Sequence, residues 1–190
     1  MSTLLLSTSL DPDSKGKRLA RWMTENLSDV LDLEWIEYKD HPLPDFDNDT
    51  IFQSESFAFL HEKIRTSSGV IVVSPIYNWT TCANLKKIVE ATGSENPANG
   101  QRSAWFDQIV TFVCVAGSPV SYMSYSSLAM GLMLDFKCVI NPYQVYATSE
   151  DFLDDGLSKK IKTRARRALM VKAELIEALK NRKYTSGWEI

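Results

Sequence analysis

The apolar run Gly69-Val70-Ile71-Val72-Val73 constrains the fold more than any other feature of this sequence. The run is short, continuous and rich in β-branched residues, which is typical of a strand buried on both faces of a parallel sheet. Because proline cannot donate to a sheet ladder, we expect the strand to stop at Ser74-Pro75. A sheet built on such a strand needs helices that cover both of its faces.

A helical pattern follows this strand. Its apolar face consists of Leu85, Ile88 and Val89. We expect Thr80 or Thr81 to cap the start of the helix, because a threonine oxygen can accept from the backbone of the first turn. The segment 75–79 is then a loop at the carboxyl end of a central strand, which is where open α/β sheets bind ligands.

The composition of this loop suits a flat aromatic ligand. Pro75 stiffens the chain, Tyr77 and Trp79 offer apolar faces, and Asn78 offers two donors and an acceptor. A second interpretation stays open, in which Pro75 and Asn78 only form a turn and the aromatic side chains pack in the core.

The remaining sequence repeats the alternation of strand and helix. Further strands are predicted over 3–6, 33–38, 109–116 and 138–146, and further helices are predicted to include 19–27, 57–64, 121–136 and 155–180. Thr50-Ile51-Phe52-Gln53 has the spacing of a capping box for the second of these helices. Asp154 and Asp155 are expected at the start of the last helix, where its dipole favours acidic residues. The tail from Tyr184 is expected to be loosely held.

A hydroxyl-rich loop, Ser7-Thr8-Ser9-Leu10-Asp11-Pro12-Asp13-Ser14, separates the first strand from the first helix. Backbone N–H groups and the dipole at a helix N-terminus both favour a bound anion, so the loop is a candidate phosphate cradle. The alternative is a Ser/Thr/Asp turn that merely caps the helix.

Length and charge bound the class of protein. A chain of 190 residues is expected to form one domain over 1–190, and its net charge of −3 argues against non-specific nucleic-acid binding. The sequence shows no membrane span and no signal peptide, so we expect a cytoplasmic protein. The three cysteines are far apart and predict reduced thiols, with no disulfide framework and no metal site. Cys82 lies near a helix start, which leaves a reactive thiol open.

The segment Ser74-Pro75-Ile76-Tyr77-Asn78, followed by Leu85-Lys86, resembles the Thr/Ser-Pro-x-Tyr-Asn…Leu-Lys segment of the NADPH-dependent FMN reductase family. In that family this loop lies along the isoalloxazine ring of the flavin. The family usually has glutamate where this chain has Ile76. The stretch His41-Pro42-Leu43-Pro44-Asp45-Phe46-Asp47 resembles the proline-rich segment that follows the second strand in the same family.

The first loop also resembles the family, whose pattern here is Gly-Ser-x-Arg-x-x-Ser. Ser9 and Ser14 match the two serines, whereas Thr8 replaces the glycine and Asp11 replaces the arginine that would pair with phosphate. The family has a glycine-rich turn beside the flavin after the fourth strand, and Ala116-Gly117-Ser118 matches it in part. Glycine there allows a backbone to approach a ligand closely.

The resemblance implies a flavodoxin-like three-layer α/β sandwich with a five-stranded parallel sheet of order 2-1-3-4-5. FMN would bind at the switch point between the first and third strands. The implied activity is ping-pong hydride transfer from NAD(P)H to a quinone, free flavin or azo acceptor, by a homodimer or homotetramer without a metal or a catalytic side chain. The implied cofactor-binding residues are Thr8, Ser9, Ser14, Pro75, Ile76, Tyr77, Asn78, Trp79, Ala116, Gly117 and Ser118.

Two other readings of the sequence stay open. One is a flavodoxin-like electron carrier without its own NAD(P)H-dependent turnover, although such carriers are usually strongly acidic. The other is a domain that has lost its cofactor and acts only in assembly, which Asp11 favours. The helix over 121–136 bears on assembly, since its Met and Tyr side chains are expected in the core or in a contact between subunits and not around a cofactor; they are Met123, Tyr125, Met130 and Met133.

Overall fold

The computed structural model describes residues 2–96 and 99–182, so the predicted tail from Tyr184 lies outside the described residues. The main sheet contains β1 (Thr3–Ser7), β2 (Leu33–Glu37), β3 (Val70–Tyr77), β4 (Thr80–Thr81), β5 (Ile109–Val115), β6 (Val139–Ile140) and β7 (Val145–Ala147). The helices are α1 (Lys15–Asn26), α2 (Glu55–Thr66), α3 (Ala83–Gly93), α4 (Ser126–Phe136) and α5 (Lys159–Leu179). No helix in the described ranges is long and apolar enough to cross a membrane.

The sheet order is β2-β1-β3-β5-β6, with β7 paired to β5 beyond β6, and these strands are all parallel. Counted along the chain, this is the predicted order 2-1-3-4-5 with a divided fifth strand, and the prediction is confirmed. Side chains alternate across the sheet, so Leu4 and Leu6 enter one core while Leu5 enters the other. Helices α2, α3 and α4 cover the first core, and α1 and α5 cover the second.

Strand β3 continues through Pro75, so the expected stop at Ser74-Pro75 is wrong. Gly69 and Val73 accept hydrogen bonds from Leu4 and Thr8, which shows that odd-numbered residues of β3 direct their backbone groups towards β1. Strand β1 ends at Ser7, before the level of Pro75. The missing N–H therefore faces a side where β3 has no neighbouring strand, and β3 keeps its pairing with Val115 on the other side.

A tight hairpin follows β3. Tyr77 pairs with Thr80, and the two residues between them have positive φ values, 48° at Asn78 and 64° at Trp79. This is the backbone of a two-residue primed turn, which asparagine tolerates well and a bulky residue does not. Both threonines are used in β4, so the expectation that Thr80 or Thr81 caps α3 is wrong, and Cys82 stands at the N-cap position.

Two other helix starts differ from prediction because serines take the cap. The residues Thr50–Gln53 form a short 3₁₀ turn instead of a capping box, and Ser54 Oγ accepts from Phe57 N to begin α2. Asp154 and Asp155 lie in the turn of a small hairpin between β8 (Phe152–Leu153) and β9 (Gly156–Leu157). Ser158 caps α5 after that hairpin. In the sequence, the acidic pair Asp154 and Asp155 indicates a helix start more clearly than the single serine Ser158 does.

The predicted fifth strand and fourth helix are also shorter than expected. Asn141 interrupts the strand, because its buried amide donates to Thr111 Oγ1 at 3.1 Å and to Ala168 O at 2.9 Å. Helix α4 begins at Ser126 and not at Ser121, since residues Pro119–Ser121 form a separate 3₁₀ turn.

A lysine closes the amino end of the sheet. Lys172 of α5 is fully buried, and its Nζ donates to Ile109 O at 2.7 Å and to Val70 O at 3.2 Å. Burial lowers the pKa of Lys172 to about 7. Gly69 leaves room for this side chain, since a Cβ there would lie 2.7 Å from Nζ and 2.8 Å from Ile109 O.

Candidate functional site

A cleft of about 310 Å³ lies at the carboxyl ends of β1, β3 and β5. One wall comes from the loop before α1 and from the first turn of that helix, and another from the end of β3. The segment after β5 closes the third side. This is the point where the strand order reverses direction, and open α/β sheets bind their ligands there.

Most of the sequence-predicted site residues line this cleft. They are Ser9, Ser14, Pro75, Ile76, Tyr77, Ala116 and Gly117. Asn78 and Trp79 form the turn of the hairpin just beyond it, and Trp79 is 66% exposed. The Thr8 side chain is buried behind the cleft, and the exposed Ser118 lies one residue past it. The aromatic residues Tyr77 and Trp79 therefore do not pack in the core, which excludes the second interpretation of this segment.

The loop before α1 is held in shape by its own hydrogen bonds. Asp11 N donates to Ser9 Oγ at 3.2 Å, and the Asp11 carboxylate accepts from Asp13 N at 2.9 Å. Ser14 Oγ accepts from Lys17 N at 3.1 Å and caps the helix. Within the described ranges, the N–H groups of Lys15 and Gly16 form no hydrogen bond, as is usual for a helix N-terminus, and both residues line the cleft.

Positive side chains surround the same loop. Lys15 Nζ donates to the neutral Ser149 Oγ at 2.8 Å, so its charge is not neutralised by that contact. Lys17 Nζ lies 3.1 Å from Glu37 Oε1. Burial raises the pKa of the Glu37 carboxyl, but hydrogen bonds from Lys39 and Lys17 outweigh that effect, so the pKa is lowered. Ser149 was not predicted as a site residue, because it reaches the cleft through the pairing of β7 with β5.

The opposite side of the cleft is apolar and flat. Pro75 and Ile76 come from β3, Tyr77 is 58% exposed, and Ala116 is nearly buried. A Cβ added at Gly117 would meet no atom within 4 Å, so this position is open towards the cleft. A polar anion-binding end and an apolar flat end together fit a ligand with a phosphate and an aromatic ring system.

In the part of the chain that the structure describes, this site has neither a metal-ligand cluster nor an accessible thiol. The described ranges contain no group of three or more His, Cys, Asp or Glu side chains that could hold a metal ion. All three cysteines are free and buried, and burial raises the pKa of Cys114 and of Cys138 to about 12. Cys82 is buried as well, which removes the access that a reactive thiol needs.

A profile of the NADPH-dependent FMN reductase family matches residues 1–150. The chain belongs to this family. It is also similar to a quinone reductase from Pseudomonas putida, with 26% identity over 175 residues, which are 86% of this chain and 87% of the relative.

Two solved structures share the fold. The flavoenzyme NAD(P)H:(acceptor) oxidoreductase FerB from Paracoccus denitrificans matches with a TM-score of 0.76 and 18% identity, over 94% of this chain and 98% of that one. An oxidoreductase from Corynebacterium diphtheriae matches with a TM-score of 0.71 and 19% identity, over the same shares of the two chains, 94% and 98%.

Membership of the family makes this chain an NAD(P)H-dependent oxidoreductase with FMN as its cofactor. The residues present fit that cofactor, because the cleft combines two free N–H groups at a helix start with an open apolar slot. When bound, FMN supplies the hydride chemistry, and the protein has to hold the ring and leave one face accessible. This explains why the cleft needs no nucleophile or carboxylate pair.

Proposed function

We propose that this protein reduces a small quinone-like acceptor with NAD(P)H by a ping-pong mechanism. The observation that carries the proposal is the cleft itself, which has a phosphate-binding character at one end and a flat apolar slot at the other. The similar quinone reductase from Pseudomonas putida supports quinones as the first acceptors to test, with free flavins and azo compounds next.

The residues divide between the two ends of the cofactor. In this proposal Ser9, Ser14, Lys15 and the N–H groups at the start of α1 hold the phosphate, whereas Thr8 lies behind them with its N–H bonded to Val73 O. The residues that lie along or border the ring are Pro75, Ile76, Tyr77, Asn78, Trp79, Ala116, Gly117 and Ser118. In this proposal the nicotinamide and the acceptor use the same ring face in turn, so they cannot bind together.

Flavin content and initial rates test this proposal. Protein purified with added FMN is expected to be yellow, and NADPH should bleach it without an acceptor present. Initial-rate lines at several quinone concentrations should run parallel, since the two substrates exclude each other. Converging lines would contradict the shared site, and a bound flavin that NADPH does not reduce would favour an electron carrier.

We also propose a homodimer built on α4. The methionines expected in the core or in a subunit contact are exposed, which makes the core alternative wrong. The exposed apolar side chains in and before α4 are Val120, Tyr122, Met123, Met130, Met133 and Leu134. They lie near an apolar groove of about 530 Å³ between α3 and α4. A second copy would cover this face, because a patch of this kind is rarely left open to water.

Light scattering at micromolar concentration is expected to report at least two chains, and a monomer would remove α4 as an interface.

We also propose that residues 1–190 form one domain and that the protein works in the cytoplasm, where NAD(P)H is available. The three free thiols agree with a reducing compartment.

A further inference from the structure

A buried polar cluster lies directly behind the cofactor cleft. It consists of Thr8, Ser74, Cys82 and Asn84, and the first three side chains are at most 4% exposed. Thr8 Oγ1 donates to Val73 O at 3.0 Å and is hydrogen bonded to Cys82 Sγ at 3.1 Å. Because the single hydroxyl proton of Thr8 goes to Val73, the Cys82 thiol is the donor in the second bond.

The cluster joins two segments that are far apart in the sequence. Thr8 is the first residue of the loop on the phosphate side, whereas Cys82 follows the hairpin on the ring side, 74 residues later. Asn84 Nδ2 donates to Thr8 O at 3.1 Å, and Cys82 N donates to Ser74 Oγ at 3.2 Å. One wall of the cleft is the loop that begins at Thr8, and the other is the hairpin of β3 and β4. The bonds join Thr8 to Cys82, which follows β4, and join Cys82 to Ser74, which lies in β3.

Helix capping does not explain Cys82. It occupies the N-cap of α3, but its side chain makes no capping hydrogen bond and is directed to Thr8 instead. Serine, threonine, aspartate and asparagine are the residues preferred at this position, and two threonines stand immediately before it. The contact that Cys82 does make is with the residue that replaces the glycine of the resembled phosphate loop.

We infer that Thr8 and Cys82 form a clasp that fixes the distance between the phosphate end and the ring end of the FMN cleft. Thr8 is then a positioning residue, since its side chain is buried, its N–H donates to Val73 O and its carbonyl accepts from Asn84 Nδ2. This inference rests on FMN binding in the cleft as proposed above. Loosening the clasp should weaken binding of the whole flavin, and not of its phosphate alone.

The test compares FMN with riboflavin, which has the ring but no phosphate. Thr8→Val keeps the shape of the side chain and removes its hydroxyl, which breaks the bonds to Val73 O and to Cys82 Sγ. We expect about a tenfold loss of affinity for both flavins, the usual size of one net buried hydrogen bond, because the bond to sulfur is weak. Thr8→Ser keeps the hydroxyl and should restore most of that affinity. Ser9→Ala touches only the phosphate side, and it should weaken FMN while leaving riboflavin unchanged.

Thr111→Val is the matched control for general loss of stability. Thr111 is equally buried in β5, and its Oγ1 accepts from Asn141 Nδ2 at 3.1 Å, away from the cleft residues. Thermal unfolding of the apoproteins should show comparable losses for Thr8→Val and Thr111→Val, whereas only Thr8→Val should lose flavin affinity. If Thr8→Val does not fold, Cys82→Ala provides a milder opening of the clasp, with about a threefold loss for both flavins expected from one weaker bond.

The outcomes separate the clasp from the proposed function. Unchanged affinity of Thr8→Val for both flavins would overturn the clasp while the FMN site stood. A loss confined to FMN would also overturn it, because Thr8 would then act only on the phosphate. Wild-type protein that binds neither flavin would overturn the proposed function itself, and the clasp with it.

Discussion

The amino and carboxyl ends of the central sheet differ in whether the side chains at the strand ends are buried or exposed. At the amino end, the chain closes the strands with its own side chain, since Lys172 is buried against Ile109 O and Val70 O. At the carboxyl end, the fully buried polar side chains Thr8 and Ser74 are neutral, and the aromatic residues Tyr77 and Trp79 are exposed. A titratable amine is thus buried at the amino end, whereas apolar surface is exposed at the end that holds the cleft.

This difference indicates that the residues that stabilise the fold and the residues that bind the ligand lie at opposite ends of the sheet. The space between Gly69, Lys172 and Ile109 O is filled, so substitutions there should change the free energy of unfolding. The open end leaves space that only a ligand fills, so substitutions there should change affinity and leave the fold intact. Each of the following experiments can break or sharpen that contrast.

Glycine-to-alanine substitution at the two ends gives the largest expected difference. At Gly69 a Cβ would lie 2.8 Å from the backbone oxygen of Ile109, so Gly69→Ala should destabilise the fold by about 3 kcal/mol, as overpacking does. At Gly117 a Cβ meets no atom within 4 Å, so Gly117→Ala should unfold like the wild type but bind FMN more weakly. Urea unfolding and flavin titration measure the two effects, and equal stability of both variants would contradict the contrast.

The pH dependence of stability should report the buried lysine. Burial lowers the pKa of Lys172 from 10.5 to about 7, so between these values the unfolded chain binds more protons than the folded one. Stability attributable to this group therefore rises with pH, by about 2 kcal/mol from pH 7 to pH 9. The window ends at pH 9 because burial raises the pKa of Cys114 and of Cys138 from 9.0 to about 12, and stability attributable to these thiols falls above pH 9.

Lys172→Met tests this assignment, because methionine fills similar space without a charge. The variant should lose the rise between pH 7 and pH 9 in urea unfolding. Lys159→Met, an exposed change on the same helix, should keep it. A wild-type slope that survives in Lys172→Met would show that other groups cause it.

The hairpin at the open end should show stability gained at the expense of binding. Trp79 has a φ of 64° and is exposed, so the fold bears backbone strain there without packing the side chain. Trp79→Gly should stabilise the protein by about 1 kcal/mol by relieving the left-handed conformation, and should lower quinone reduction. Trp79→Ala keeps a Cβ, so it should lose activity without the gain in melting temperature. Higher activity in Trp79→Gly would remove this residue from the site.

The smallest expected effect concerns the phosphate loop. The Asp11 carboxylate already accepts from Asp13 N, yet it lines the cleft and should repel a phosphate carrying roughly −1.5 to −2 charges. Screened by solvent, that repulsion is below about 1 kcal/mol, so Asp11→Arg should tighten FMN binding about threefold. The gain should shrink at high salt and be absent for riboflavin. No change in Asp11→Arg, together with none in Ser9→Ala, would move the phosphate site elsewhere.

Hydrophobic patterning predicted the alternating strands and helices, because burial of a strand or of a helix face requires apolar residues at regular local spacing, whereas the strand order came from the family resemblance. The same patterning missed what depends on neighbours in space. Pro75 stays in β3 because β1 has already ended beside it, which the sequence of β3 does not contain. Lys172 looks like one more solvated base in a helix rich in lysine and arginine, and only packing against Gly69 buries it.

The site residues also divide into those that local sequence predicts and those that depend on neighbours in space. The two loops at the switch point were predictable, because polar and aromatic residues directly follow apolar runs. The clasp between Thr8 and Cys82 was not, since it joins residues 74 positions apart. Ser149 likewise reaches the cleft only through the pairing of β7 with β5.

The interruption at Asn141 has a consequence for self-association. An exposed outer strand offers unpaired N–H and C=O groups to other chains, which is how sheets stack into fibrils. Here β6 and β7 have only two and three residues, and the carbonyl of Gln144 between them is taken by Arg164 Nε at 2.7 Å. The edge of the sheet that β6 and β7 form is therefore a poor template for amyloid growth.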